Sequence, residues 1–140
     1  IYSIVEGHPP EVNLSNEKNN GEAVLNLINN KLISSAHDIS SGGLIVALAE
    51  MCMSSGFGLN IKKPSKLSNF MEYYFGEDQG RYLLEIEPKN LQNVIEILSE
   101  NNIYNEIIAT VQKNNFEILG ELKISVNDLY KINNTWYNNY

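Results

Sequence analysis

Residues 38–51 constrain the fold of this chain more than any other stretch. Asp38-Ile39-Ser40-Ser41-Gly42-Gly43 is a polar turn carrying two glycines, and it runs directly into Leu44-Ile45-Val46-Ala47-Leu48-Ala49-Glu50-Met51, apolar apart from Glu50. A helix apolar on nearly every face has to be covered on both sides. The sequence therefore predicts a helix from Gly42 to Ser55 at the centre of the fold, ending through Gly56 in the left-handed conformation common at helix exits. Leu32 to Ile39 leads into it as a short buried strand ending at Asp38. The first N–H groups of a helix lack intrahelical partners and carry the positive end of its dipole, so glycines there expose backbone to an approaching anion, usually phosphate. The same residues admit a plainer reading, in which Ser40 or Ser41 caps the helix and the glycines serve tight packing.

A second loop, Phe75-Gly76-Glu77-Asp78-Gln79-Gly80-Arg81-Tyr82, crowds acids, an amide and an arginine between glycines ahead of an apolar strand. In the first loop Ser40 and the N–H groups near Gly42 and Gly43 are donors for a phosphate. Asp38 beside a phosphate repels it unless a magnesium ion or a ligand donor lies between, which makes Asp38 a metal or ribose-hydroxyl ligand; its plainer role is an Asx-type turn at the strand end. For His37 a structural hydrogen bond is favoured over proton transfer, because no second base is identifiable. In the second loop Glu77, Asp78 and Gln79 offer hard oxygens for magnesium or for amide recognition. Arg81 either holds a phosphate or pairs with one of those acids in a solvated loop. The candidate phosphate or nucleotide site is thus Asp38, Ser40, Gly42, Gly43, Gln79 and Arg81, with Asp38 and Glu77 for a metal. No residue of this chain is assigned a catalytic role.

The remaining elements follow from periodicity and breakers. Residues 1–12 read as a linker or short strand, with Pro9-Pro10 stiffening the loop, and residues 13–140 as a single domain. From Asn13 or Ser15 to about Asn30, Leu14, Val24, Leu25, Leu27, Ile28 and Leu32 form a partial helical stripe. Gly58 to Ile61 is a strand, followed by a short amphipathic piece with Leu67, Phe70 and Met71. Tyr82, Leu84 and Ile86 alternate with charged residues in another strand, where Leu83 breaks the pattern toward burial on both faces. Pro88 opens a helix with Leu91, Val94, Ile95 and Leu98 on one face. Ile107 to Gln112 and Phe116 to Leu119 are strands flanking Lys113-Asn114-Asn115, read as a hairpin turn in a βαββ unit. Leu122 to Val126 extends the sheet, and Asn127-Asp128 caps a last helix with Leu129, Ile132 and Trp136. The sum is an α/β (α+β) domain, a mixed sheet with helices packed on it.

A hydrophobic content of 43% in 140 residues supports one globular domain, and no apolar run is long enough to span a bilayer. The net charge of -7 argues against nonspecific binding to nucleic acid or anionic membranes, so any phosphate site has to be local. The lone Cys52 lies in the apolar helix, where a buried, unreactive thiol is expected. With no signal segment, the cytoplasm is the default compartment. The first residue is Ile1, which suggests a piece of a longer protein or a processed chain.

Taken together, residues 36–51 (AHDISSGGLIVALAEM) and 75–86 (FGEDQGRYLLEI) resemble the C-terminal module of the phosphoribosylformylglycinamidine synthase family, in the superfamily of aminoimidazole ribonucleotide synthase. The likeness extends from Pro9 to about Trp136 and includes Pro9-Pro10-x-Val12-x-Leu14 with Asn20-Gly21. Ser41 departs from it, standing where the family often has an acid. The resemblance implies a three-layer α/β domain containing a ferredoxin-like βαββ unit. It also implies part of an ATP- and magnesium-dependent ligase that converts formylglycinamide ribonucleotide to its amidine, with ammonia from a glutaminase. The N-terminal ATP-binding modules of the same protein would hold most of the nucleotide and the catalytic histidine, so this fragment alone is expected to be inactive. A glutaminase subunit, a small accessory subunit and the phosphorylated ribonucleotide are the implied partners. Two alternatives stand beside it: another superfamily member, aminoimidazole ribonucleotide synthase or selenophosphate synthase, and a non-enzymatic ligand-binding regulatory domain.

Overall fold

The computed structural model describes residues 11–64 and 69–138. The readings for Ile1–Val5, His8, Pro9-Pro10, Leu67 and the Trp136 side chain fall outside the described residues.

Helix α1 (Leu14–Asn29) starts where the Asn13 side chain accepts the Asn16 N–H at 3.0 Å, satisfying one of the orphan donors of the first turn. Its buried face is Ala23 and Leu27. Leu14 and Leu25, expected in the buried stripe, are 73% and 59% exposed, because at about 3.6 residues per turn they lie opposite Ala23 and Leu27. Strand β1 (Ser35–Asp38) leads to α2 (Gly43–Ser55), which ends at Gly56 with φ +76, as the glycine suggested. Then come β2 (Gly58–Ile61), α3 (Phe70–Phe75), β3 (Tyr82–Glu85) and α4 (Pro88–Glu100), the last with proline in its first turn. β4 (Ala109–Gln112), β5 (Asn115–Ile118), β6 (Leu122–Ser125) and α5 (Val126–Asn138) complete the order. The start of α5 is fixed by Ser125, whose Oγ accepts the Asp128 N–H at 3.0 Å and donates to the Asp128 carboxylate at 2.7 Å. The cap is therefore Ser125, two residues before the Asn127-Asp128 assignment.

The strands form two sheets. β1 and β3 make an antiparallel ribbon, and the larger sheet has the order β4-β2-β5-β6. In the latter β2 runs antiparallel to β4 and parallel to β5, so the sheet is mixed. This corrects the hairpin reading: β4 and β5 are consecutive, but β2 lies between them. Gly58 makes the insertion possible, since a Cβ there would sit 2.0 Å from the Asn115 carbonyl oxygen. The chain between β4 and β5 crosses the start of β2 where no side chain intervenes.

Two apolar cores lie on either side of the ribbon. The larger joins Leu44, Leu48 and Cys52 of α2 with Ile61, Tyr74, Phe116, Ile118 and Val126. The smaller joins Ala23 and Leu27 of α1 with Val94 and Leu98 of α4. Leu83 belongs to the first core and Leu84 packs on the second, which is why the β3 sequence lacks strict alternation. The almost wholly apolar α2 is covered by α3 and α5 and by the residues of the large sheet, as its composition required. Among the described residues no helix is long and apolar enough to cross a membrane.

Candidate functional site

The antiparallel pairing of β1 with β3 decides where the two glycine loops go. Asp38, the last residue of β1, stands opposite Tyr82, the first of β3. The loop leaving β1 and the loop entering β3 therefore share one end of the ribbon. The Ile39 N–H donates to the Arg81 carbonyl at 2.9 Å, extending the pairing into both loops. A second link is ionic in character: the Glu77 carboxylate accepts the Gly42 N–H at 2.7 Å, placing a negative charge at the start of α2, where the helix dipole favours it.

Between the loops lies an open pocket of about 730 Å³. Asp38, Ile39, Ser40 and Ser41 form one wall, Glu77, Gln79, Gly80, Arg81 and Tyr82 another. The third is α1, through Leu14, Glu17 and Lys18, residues that the sequence did not assign to the site. The signal that pointed there was Asn20-Gly21: the Asn20 amide donates to the Gly80 carbonyl at 2.9 Å, and Gly21 packs beside the Tyr82 hydroxyl.

Asp38, Ser40, Glu77, Gln79 and Arg81 are thus brought together as expected, whereas Gly42 and Gly43 are used differently. Gly42, with φ +83, is the N-cap of α2 and no side chain caps the helix, so neither Ser40 nor Ser41 does. The Gly42 amide is engaged by Glu77, and the Gly43 amide donates to the Ser40 carbonyl at 3.0 Å. Gly43 is buried with φ +70, and a Cβ there would lie 2.6 Å from the Phe75 carbonyl carbon and 2.8 Å from the Gly76 oxygen. Its lack of a side chain lets the two loops pack backbone to backbone, which is the tight-packing role.

Asp38 projects an exposed carboxylate with His37 Nδ1 at 3.8 Å, and among the described residues it makes no Asx turn. His37 itself is structural, as expected. Its Nδ1 meets the Asp38 carbonyl oxygen at 2.5 Å, and Nε2 faces the Glu50 carboxylate at 3.3 Å, joining β1 to α2. The Arg81 guanidinium bonds Asp78 and the Gly76 carbonyl, each at 3.3 Å, while its Nε is buried without an acceptor among the described residues. Cys52 lies away from the pocket, and burial pushes its thiol from 9.0 up to about 11, consistent with an unreactive core residue.

The pocket wall carries three carboxylates, Glu17, Asp38 and Glu77, against two cations, Lys18 and Arg81. A hard divalent cation takes six or more oxygen ligands, and no group of three or more potential metal-ligating side chains exists among the described residues. Asp38 and Glu77, the two carboxylates the sequence offered for a metal, line the same pocket, and Glu77 Oε1 already accepts the Gly42 N–H.

Fold and site together define an α/β domain with an open polar pocket at one end of a two-stranded ribbon. The chain belongs to the family described as AIR synthase related protein, C-terminal domain, whose model matches residues 3–120. Within it, the chain is similar to the phosphoribosylformylglycinamidine synthase subunit PurL of Pelagibacter ubique, at 48% identity over 140 residues, all of this chain and 19% of that protein. PurL of Bartonella bacilliformis is 41% identical, over 98% of this chain and 18% of its own length. The chain thus spans about a fifth of the curated relatives it matches. Among solved structures, PurLQS from Thermotoga maritima matches with a TM-score of 0.71 at 20% identity, over 86% of this chain and 22% of that one. T. maritima PurL complexed with FGAR and with ATP matches at 0.69 and 0.68, with 20% and 19% identity, over 81% of this chain and 21% of theirs. At those identities the solved structures establish the fold.

Proposed function

We propose that this domain works inside a longer phosphoribosylformylglycinamidine synthase, forming one wall of the cleft in which formylglycinamide ribonucleotide is converted to its amidine at the expense of ATP. The observation that carries the reading is the convergence of the two glycine-bearing loops, which brings Asp38, Ser40, Gln79 and Arg81 to the lining of one cavity. Ser40, Gln79 and the free donors of Arg81 suit phosphate or ribose oxygens, and Asp38 with Glu77 suits a magnesium ion carried by the phosphates. The similarity to PurL chains, one complexed with FGAR and another with ATP, supports both ligand classes. The remaining modules of the polypeptide supply the catalytic histidine and most of the ATP site, a glutaminase subunit the ammonia, and a small accessory subunit completes the assembly. The PurLQS relative supports such an assembly. A cytoplasmic location follows from this biosynthetic role.

The test is substitution in the full-length protein. Asp38→Ala and Arg81→Ala are each expected to weaken binding of ATP or of formylglycinamide ribonucleotide about tenfold, the loss of one charge-assisted contact, with melting temperature nearly unchanged. Unchanged affinities together with a large fall in melting temperature reject the assignment.

A further inference from the structure

Helix α1 reaches across the chain to the second loop. The Asn20 Nδ2–H, half-buried, donates to the Gly80 carbonyl at 2.9 Å, 60 residues away. Gly80 adopts φ +70, and a Cβ there would stand 3.0 Å from Glu17 Cγ, so one turn of α1 rests against the residue between Gln79 and Arg81. The Gly80 carbonyl lies in the same rigid peptide plane as the Arg81 nitrogen. Holding that oxygen therefore fixes the direction in which the backbone enters Arg81. The Arg81 carbonyl in turn accepts from Ile39, carrying the constraint into the first loop.

We propose that Asn20 is a positioning residue for the phosphorylated ligand: by fixing the Gly80–Arg81 peptide plane it aims Arg81 at the pocket. The inference rests on the reading that this pocket binds such a ligand. A residue acting only through Arg81 has a distinctive signature, because its effect disappears once Arg81 is gone.

The experiment is a double-mutant cycle in the full-length protein, with Asn20→Ala, Arg81→Ala and the pair titrated separately with ATP and with formylglycinamide ribonucleotide. Asn20→Ala is expected to weaken the ligand that depends on Arg81 by about fivefold, and the double variant to bind within about twofold of Arg81→Ala alone. Additive losses, or wild-type affinity in Asn20→Ala alongside a real Arg81 effect, overturn the positioning role while leaving the pocket reading intact. If Arg81→Ala changes neither affinity, both fail. Asn20→Ser, which keeps a shorter donor, carries the same cycle where the alanine variant does not fold, and it is expected to retain part of the affinity.

Discussion

Gly43 and Gly80 both hold φ +70, one in each loop facing the pocket, yet they are confined by different kinds of neighbour. Around Gly43 the obstruction is backbone, the Phe75 carbonyl carbon and the Gly76 oxygen. Around Gly80 it is the Cγ of Glu17, part of a flexible side chain. The first loop is thus packed backbone to backbone at Gly43, and the second is tied by side chains, Asn20 of α1 together with its own Arg81 and Glu77. A binding site made this way has one fixed wall and one adjustable wall.

The largest effect that separates them is expected from Gly43→Ala. The new Cβ meets backbone that cannot move without parting the loops, and a left-handed alanine adds its own cost, so chemical unfolding of the 140-residue chain should show a loss of about 3 kcal/mol or more. Gly80→Ala carries the same conformational cost, but Glu17 can swing aside, and a loss of about 1–2 kcal/mol is expected in the same measurement. Equal losses at the two positions would erase the distinction. The smallest effect belongs to Tyr74, beside Phe75 in the large core, whose buried hydroxyl finds no partner among the described residues. Tyr74→Phe removes an unsatisfied polar group and should leave stability unchanged or raise it by up to about 1 kcal/mol; a clear loss would reveal a partner for that hydroxyl.

Much of this was legible in the sequence because it is local. The apolar run of α2, the exit at Gly56 and the proline opening α4 are each written in consecutive residues. What escaped is non-local. The Asn-rich link between β4 and β5 has the composition of a hairpin turn, and only the packing of Gly58 against Asn115 shows that β2 separates the two strands. The convergence of the loops was expected, but the third wall was not, since Glu17 and Lys18 look like any solvated helix face until the fold sets them beside Gly80 and Arg81. The glycines illustrate the same limit: a Gly42-Gly43 pair at a helix start reads alike whether it receives a phosphate or packs against Phe75 and Gly76.

Hydrogen exchange on the full-length protein, with and without ATP and formylglycinamide ribonucleotide, tests most directly whether the two loops grip one ligand. The account expects residues 38–43 and 76–81 to gain protection together on adding one of these ligands, with the larger gain in the second, adjustable loop. Protection of one loop alone, or of neither with both ligands bound elsewhere, would contradict it.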